Sequence, residues 1–241
     1  MNNMKTYYRV LNEEEIIGEA CNSIEDLSFR QQMTQEYYPQ IEAICILSLK
    51  CDIKLSTALR IATQYGHVIS DIQDAVRNND IMFPLNKFLV FDEIKNMIPL
   101  EYIVDFFITY NQIYEETGLY LDEDCGDGQY IWEGVWEFIR REFYINKNSR
   151  LESIFAFENK MDADNFSKLY RNNETDIAEV TIEDAKVERY DMEWMTIVPI
   201  TSTMKEASAF AVNYWEGEST DKPIYELLIK GTYKLKLSNE R

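Results

Sequence analysis

Histidine and glycine are scarce in this chain, and closely paired cysteines are missing. Its 241 residues include one histidine, His67, and eight glycines. A single histidine leaves little room for a Ser/His/Asp or Cys/His nucleophilic centre, and His67, just after Gly66 at an expected helix start, reads as structural or exposed. No Gly-rich phosphate loop is present. The four cysteines, Cys21, Cys45, Cys51 and Cys125, form no C-x-x-C pair. That spacing points to a reduced protein rather than a disulfide framework and, with one histidine, argues against a zinc site. No run of 18 apolar residues suggests a membrane-spanning helix. Met1–Lys5 lacks the apolar stretch of a secretory signal, so a cytoplasmic location is expected. Nor is there a basic stripe with interleaved aromatics for gripping nucleic acid.

What the chain has is acid and ample apolar matter. Apolar residues make up 46% of it, and 43 acidic residues against 24 basic ones give a formal net charge of −19. Apolar content at that level supports a real core. The charge repels phosphate backbones and favours basic partners, as a solvated surface or as a mimic of DNA charge. Abundant Asn, Ile, Lys and Tyr suggest an AT-rich bacterial or phage genome. The acidic turn Asp122–Gly128 fails the calcium-loop pattern, because Asp127 stands where the invariant glycine belongs, and reads as a solvated loop. No metal is expected.

The pattern along the chain predicts a strand, a long helical block and then mixed α+β structure. Tyr7–Leu11 reads as a buried strand, and Asn12 with Glu15 as a helix start. Ile24–Leu27 leads into a helical stretch interrupted near Pro39 and strongly apolar over Ile41–Leu49. Ser56 is expected to cap a short helix through Leu59 and Ala62, ended by Gly66. Val68, Ile69, Ile72, Ala75 and Val76 follow helical spacing. Leu100 to Ile113 makes an amphipathic helix closed at Gly118. Another runs from Ile131 to Phe143, with Trp132, Val135, Trp136, Ile139 and Phe143 on its apolar face.

The last third changes character. Strand Arg150–Phe157 is followed by a helix carrying Ala163, Phe166, Leu169 and Tyr170. Strands Ile177–Ile182 and Lys186–Trp194 come next. An amphipathic helix Met204–Trp215 stops at Gly217. Strands Ile224–Ile229 and Thr232–Leu237 flank Lys230-Gly231, expected to be a tight hairpin turn.

Three of these strands place a polar group among apolar ones: Arg9, Ser153 and Glu226. Such groups are costly in a core unless they are paired or face a cleft. Together they have coherent chemistry. An Arg fork grips a pyrophosphate. A strand hydroxyl shapes a nicotinamide-ribose pocket, and the ring of Tyr214 or Trp215 stacks on nicotinamide. A carboxylate stabilises the oxocarbenium-like centre left when nicotinamide departs. A structural role stands beside each: Arg9 paired with an acid, Ser153 as a small packing residue, Glu226 at a sheet edge, Tyr214 and Trp215 as core.

The segments Trp136-Glu137-Phe138-Ile139-Arg140-Arg141-Glu142-Phe143 and Asn148-Ser149-Arg150-Leu151-Glu152-Ser153-Ile154-Phe155-Ala156-Phe157 resemble a bacterial and phage family, domain of unknown function 2441. Its pattern has E-x-x-R, then Pro-Ser-Arg before an S-x-F-A strand; Asn148 here replaces the proline. Tyr8-Arg9-Val10-Leu11 and Ala211, Tyr214-Trp215-x-Gly217 and Glu226-Leu227-Leu228-x-x-Gly231 are similar as well. The resemblance spans the first dozen residues and about 136–237. The layout is similar to mono-ADP-ribosyltransferases of the Arg-Ser-Glu type. It implies NAD as substrate, Glu226 and Ser153 as catalytic residues, and Arg9, Tyr8, Arg150, Tyr214 and Trp215 as NAD-binding residues. Two departures matter. Ser153 is followed by Ile154 and Phe155 rather than Thr-Ser, and Ile224 stands where arginine-modifying members carry a second acid.

The expectation is one α+β domain over 1–241. Residues 1–11 and 148–241 would form a small split antiparallel or mixed sheet of ADP-ribosyltransferase type, and 12–147 a large helical insertion after the first strand. The leading function is an NAD-dependent mono-ADP-ribosyltransferase-like protein acting on a macromolecular target, protein rather than nucleic acid, with no membrane partner. Two alternatives stay open. One is a non-catalytic acidic inhibitor, in phage–host conflict, that blocks a basic or nucleic-acid-binding partner. The other is an NAD glycohydrolase.

Overall fold

The computed structural model describes residues 5–11, 15, 17–64, 88–89, 98–119, 121, 129–171 and 175–238. The fold is α+β: a small antiparallel sheet with eight α-helices among the described residues. The chain falls into two compact units. The first comprises Met1–Met33, Ile139–Ile197 and Phe210–Arg241; the second comprises Thr34–Phe138 and Val198–Ala209.

The first unit holds the sheet. Its strands are β1 (Tyr7–Val10), β2 (Ala20–Asn22), β5 (Ile154–Ala156), β6 (Ile177–Asp191) and β7 (Tyr225–Leu237). β6 and β7 are long antiparallel partners, from Ala178 opposite Leu237 to Asp191 opposite Tyr225. β1 runs along β6, with Arg9 opposite Ala178. β2 and β5 share the other flank of β7, at residues 232–234 and 227–229 respectively. The sheet then curls until β1 meets the chain just past β5: Tyr8 and Phe157 exchange backbone hydrogen bonds of 2.9 and 2.7 Å.

Strand alternation sorts the side chains into two faces. Ile154, Ala156, Ala178, Val180, Leu227, Ile229, Tyr233 and Leu235 pack into one core, with Tyr7 and Val187 against it. On the other face Val10, Phe157 and Ala163 pack together with Tyr8, Phe166 and Ile177. This second cluster seats α6 (Lys160–Tyr170), whose start is capped by Asn159 accepting from the Asp162 N–H at 2.9 Å. Phe166 belongs to that cluster, but Leu169 is exposed.

The last third departs from its expected pattern in several places. Lys230-Gly231 is not a hairpin turn. β7 runs straight through it, with Gly231 at φ 128° opposite Ala185. A Cβ at Gly231 would lie 2.3 Å from the Asp184 carbonyl oxygen, so glycine here serves a close backbone approach rather than a reversal. β6 likewise is one strand, kinked by a register shift between Ile182 and Asp184 instead of broken into two. It ends at Asp191, whose carboxylate accepts from the Glu193 N–H (3.1 Å) and starts the short helix α7 (Glu193–Thr196). Trp194 therefore lies in a helix. The same carboxylate accepts from the N–H groups of Thr220 and Ile224, both at 2.8 Å, and so fixes the approach to β7.

The segment Arg150–Phe157 is not one strand either. Arg150–Glu152 forms a 3-10 turn, with the Ser149 hydroxyl accepting from the Leu151 N–H at 3.1 Å, and only Ile154–Ala156 is strand. Serine next to its own backbone offers a local alternative to sheet pairing, and here that alternative wins.

The second unit is mainly helical. α2 (Tyr38–Cys51) begins with Pro39 in its first turn, where a missing N–H costs nothing, and buries Ile41, Ile44, Cys45 and Leu47. Asp52 takes the left-handed conformation (φ 50°) that ends it. α1 (Phe29–Glu36) precedes it. α3 (Leu55–Gln64) starts one residue before Ser56, so Ser56 is not its cap. The Leu55 N–H instead donates to Ser202 (3.0 Å). The Ser48 hydroxyl accepts from the Met204 N–H at 2.8 Å and donates to Ile53 O at 2.6 Å. α4 (Leu100–Thr117) ends at Gly118, φ 72°, as its sequence predicts.

α5 (Gln129–Phe143) carries Gly134, whose missing side chain lets it close against Ile41: a Cβ would lie 2.3 Å from Ile41 Cγ2. Phe143, expected on its apolar face, is 70% exposed at the helix end. The block over 12–147 is not purely helical. It contains β2 and a two-stranded pair, β3 (Phe88–Leu89) with β4 (Ile98–Pro99). α8 (Met204–Glu216) stops at Gly217, φ 81°. The expectations resting on Asn12, Gly66–Val76 and Asp122–Gly128 lie outside the described residues.

Candidate functional site

A buried polar knot in the first unit joins three residues that the sequence singles out. Arg150 lies in the 3-10 turn, Tyr214 on the last part of α8 and Glu226 near the start of β7. All three are buried. The Arg150 guanidinium donates to the Glu226 carboxylate as an ion pair, and through Nη1 to the Tyr214 hydroxyl oxygen at 2.7 Å. The Tyr214 hydroxyl in turn donates to Glu226 Oε1 at 2.8 Å. A carboxylate is thus held by a cation and a phenol away from bulk water, where each such bond counts for more.

Rings enclose this knot. The guanidinium lies 4.7 Å from the Phe155 ring centroid and 5.4 Å from that of Tyr214. Tyr214 stacks on Tyr190 at 4.6 Å, and Trp215 meets both rings edge-on. Burial pushes the Tyr214 hydroxyl well above its ordinary range, an effect that Arg150 opposes and Glu226 reinforces. Tyr190, opposite Glu226 in the strand register, is raised too, chiefly by burial and then by Glu188. Tyr214 is therefore a neutral hydrogen-bond donor at any physiological pH.

Backbone anchors fix the turn that carries Arg150. The Gln31 amide donates 2.7 Å bonds to the carbonyls of both Arg150 and Ser153. Ser153 donates to Ser149 O at 2.7 Å. Ser23 bridges Glu152 O (2.9 Å) and the Gly231 N–H (3.0 Å). Asn148 reaches Lys186 O at 2.9 Å and Leu228 O at 3.2 Å.

Arg9 lies elsewhere. Alternation along β1 puts it on the face of Tyr7 and Leu11, whereas Glu226 is on the face opposite Leu227 and Ile229. Its Nη1 donates to Phe155 O at 2.7 Å and its Nε pairs with Glu15. Phe155 thus stands between the two arginines, its carbonyl on Arg9 and its ring on Arg150. Tyr8 packs on the α6 face. The structure therefore brings Arg150, Tyr214 and Glu226 together, with Trp215 against Tyr214, while Arg9 pairs with Glu15, Tyr8 packs in the α6 cluster and the Ser153 hydroxyl is committed to Ser149 O. Gln31, Glu15 and Tyr190 complete these contacts. Nothing in their spacing sets them apart, since each is reached by chain reversal rather than by a motif.

Among the described residues no group of His, Cys, Asp and Glu is arranged to hold a metal ion, and no helix is long and apolar enough to cross a membrane. The described cysteines are poor nucleophiles: burial raises Cys21 and Cys45, and pushes the Cys51 thiol up to about 11.

The family model described as protein of unknown function (DUF2441) matches residues 86–238. The chain belongs to the DUF2441 family. The match takes in Arg150, Ser153, Tyr214, Trp215 and Glu226 and leaves out the first strand with Tyr8 and Arg9. The DUF2441 region therefore contains the whole Arg150–Tyr214–Glu226 knot. No curated protein matches the chain.

Proposed function

We propose that the chain is an NAD-dependent mono-ADP-ribosyltransferase-like protein whose sheet unit is the split-sheet core of that class. The observation that carries this reading is a strand carboxylate, Glu226, joined to a guanidinium and a phenol within the family-matched region. In the reaction, the bond between nicotinamide and the ribose C1′ breaks and its electron pair leaves with nicotinamide. A nucleophile of the macromolecular acceptor then bonds to C1′ and gives up its proton to water. Glu226 hydrogen-bonds the ribose and stabilises the positive charge at C1′, and Arg150, the cation nearest to it, meets the diphosphate. Tyr214 orients the carboxylate. Its ring and that of Trp215 are covered by neighbours, so neither offers a free stacking face.

The test is incubation with NAD labelled in its adenosine half, in bacterial extract, with wild type beside Glu226→Gln. Release of nicotinamide with label on macromolecules supports the transferase. Nicotinamide release without label supports the NAD glycohydrolase. Neither event in the wild type refutes the reading.

A second reading is a non-catalytic acidic protein that blocks a basic partner. It is favoured by burial, since Arg9, Ser153 and Glu226 are each engaged inside the fold. The net charge of −19 suits it. Partner capture that disappears at high salt and ignores NAD would support it.

A further inference from the structure

Resting on the transferase reading, we infer that the Arg150–Glu226 ion pair is an autoinhibitory latch, opened when the dinucleotide's diphosphate takes Arg150 and leaves Glu226 for the ribose. Three observations converge on this. The Glu226 side chain is 4% exposed and Arg150 is its ion-pair partner, so the carboxylate meets no ligand while that pair stands. The pair is made by side chains alone. Glu226 keeps its backbone pairing with Tyr190, and the Arg150 and Ser153 carbonyls keep Gln31, whichever way the guanidinium turns. Finally, the guanidinium rests on the ring of Phe155, which is only partly buried and so borders solvent. Sliding along that ring carries the cation outward without losing its aromatic partner.

General energetics point the same way. A buried ion pair adds little stability over an apolar pair of the same volume, and its best-attested use is to set one of two arrangements. A diphosphate offers Arg150 the same paired-fork geometry as a carboxylate, with more negative charge. Exchange of one anion for the other keeps the Arg150 charge paired, while Glu226 keeps the Tyr214 hydroxyl and meets the positive charge of the nicotinamide riboside in place of the guanidinium. A latch of this kind lowers the apparent NAD affinity by the fraction of molecules in which it is open.

Weakening the latch should therefore tighten binding. Tyr214→Phe keeps the ring on Tyr190 and removes a hydroxyl bonded to both latch partners. Calorimetric titration with NAD and with ADP-ribose should show both binding about tenfold more tightly than to wild type, with nicotinamide alone unchanged. Glu226→Gln is the second variant: it should bind NAD more tightly yet show no turnover. If both variants are folded by circular dichroism and bind NAD no more tightly than wild type, the pair is structural and the latch is refuted, while wild-type binding leaves the transferase reading standing. If neither wild type nor variants bind millimolar NAD, both ideas fall together. Should Tyr214→Phe fail to fold, the Glu226→Gln result decides alone.

Discussion

Replacing Arg150 with methionine should cost far more than replacing both members of its ion pair. In Arg150→Met the Glu226 carboxylate stays buried, keeps the Tyr214 hydroxyl and loses its cation. Breaking a buried pair from one side costs about 3–5 kcal/mol, most of it the penalty of an uncompensated charge. Against a total stability of about 5–15 kcal/mol, that is a large fraction. For a unit of this size it corresponds to a fall in melting temperature of roughly 10–20 °C. The double variant Arg150→Met/Glu226→Leu removes both charges and refills the volume with apolar atoms, so it should lie within about 2 kcal/mol of wild type. Urea unfolding followed by tryptophan fluorescence, in a background with Trp132 and Trp136 of the helical unit replaced by phenylalanine, reports on this unit, because Trp215 sits beside the knot. The signature is non-additivity, with the double variant more stable than Arg150→Met alone. A double variant whose loss equals the sum of the two single losses would refute the coupling drawn from the geometry.

Three other outcomes follow from single features. Gly231→Ala forces an L side chain to φ 128° and into the Asp184 carbonyl, which lies on the backbone of the partner strand and cannot swing aside. It should destabilise the sheet unit by about 2–4 kcal/mol in urea titration, and a loss under 0.5 kcal/mol would contradict the continuous β7. Gly134→Ala puts a methyl group into Ile41 in the helical unit, and thermal unfolding should register a loss of about 1–3 kcal/mol. Glu188 is more acidic than usual: burial alone would raise it, but Lys186, the Asn148 N–H and Tyr190 together lower it. Its folded value is depressed, so its contribution is present above the ordinary carboxylate range near pH 4.5 and is lost as pH falls through the lower folded value. Glu188→Gln should therefore flatten the acid limb of stability against pH below about 4.5 and leave that limb's slope near neutrality unchanged.

Helices were the most legible part of the sequence. The Leu100–Thr117 helix is written in its apolar spacing and its Gly118 stop, and Met204–Glu216 likewise in its spacing and Gly217. These signals are local: a 3.6-residue period and a left-handed glycine need no distant partner. The first strand was readable too, as was its union with the C-terminal strands. What misled was punctuation inside β6 and β7. Lys230-Gly231 has the composition of a turn, yet its glycine is spent on a close pass between two strands, which only the opposite strand reveals. Ser149 and Ser153 bent the segment before β5 into a turn through hydrogen bonds to its own backbone.

The candidate site divides along the same line. Burial of polar groups, which demands a partner, marked Arg9, Ser153 and Glu226 in the sequence, with Tyr214 and Trp215 as nearby rings, whereas Arg150 was marked only by the family resemblance. Sequence alone could not say which partners they take. That depends on side-chain parity across a curled sheet, where one residue of register moves a group to the other face. Tertiary structure sent Arg9 to Glu15 and Phe155 on one face and joined Arg150, Tyr214 and Glu226 on the other. Composition and local periodicity determined that this chain is an acidic α+β protein with buried polar strand residues. Only the long-range pairing of β5, β6 and β7 decided which of those residues meet, because that contact is made between segments about 75 residues apart.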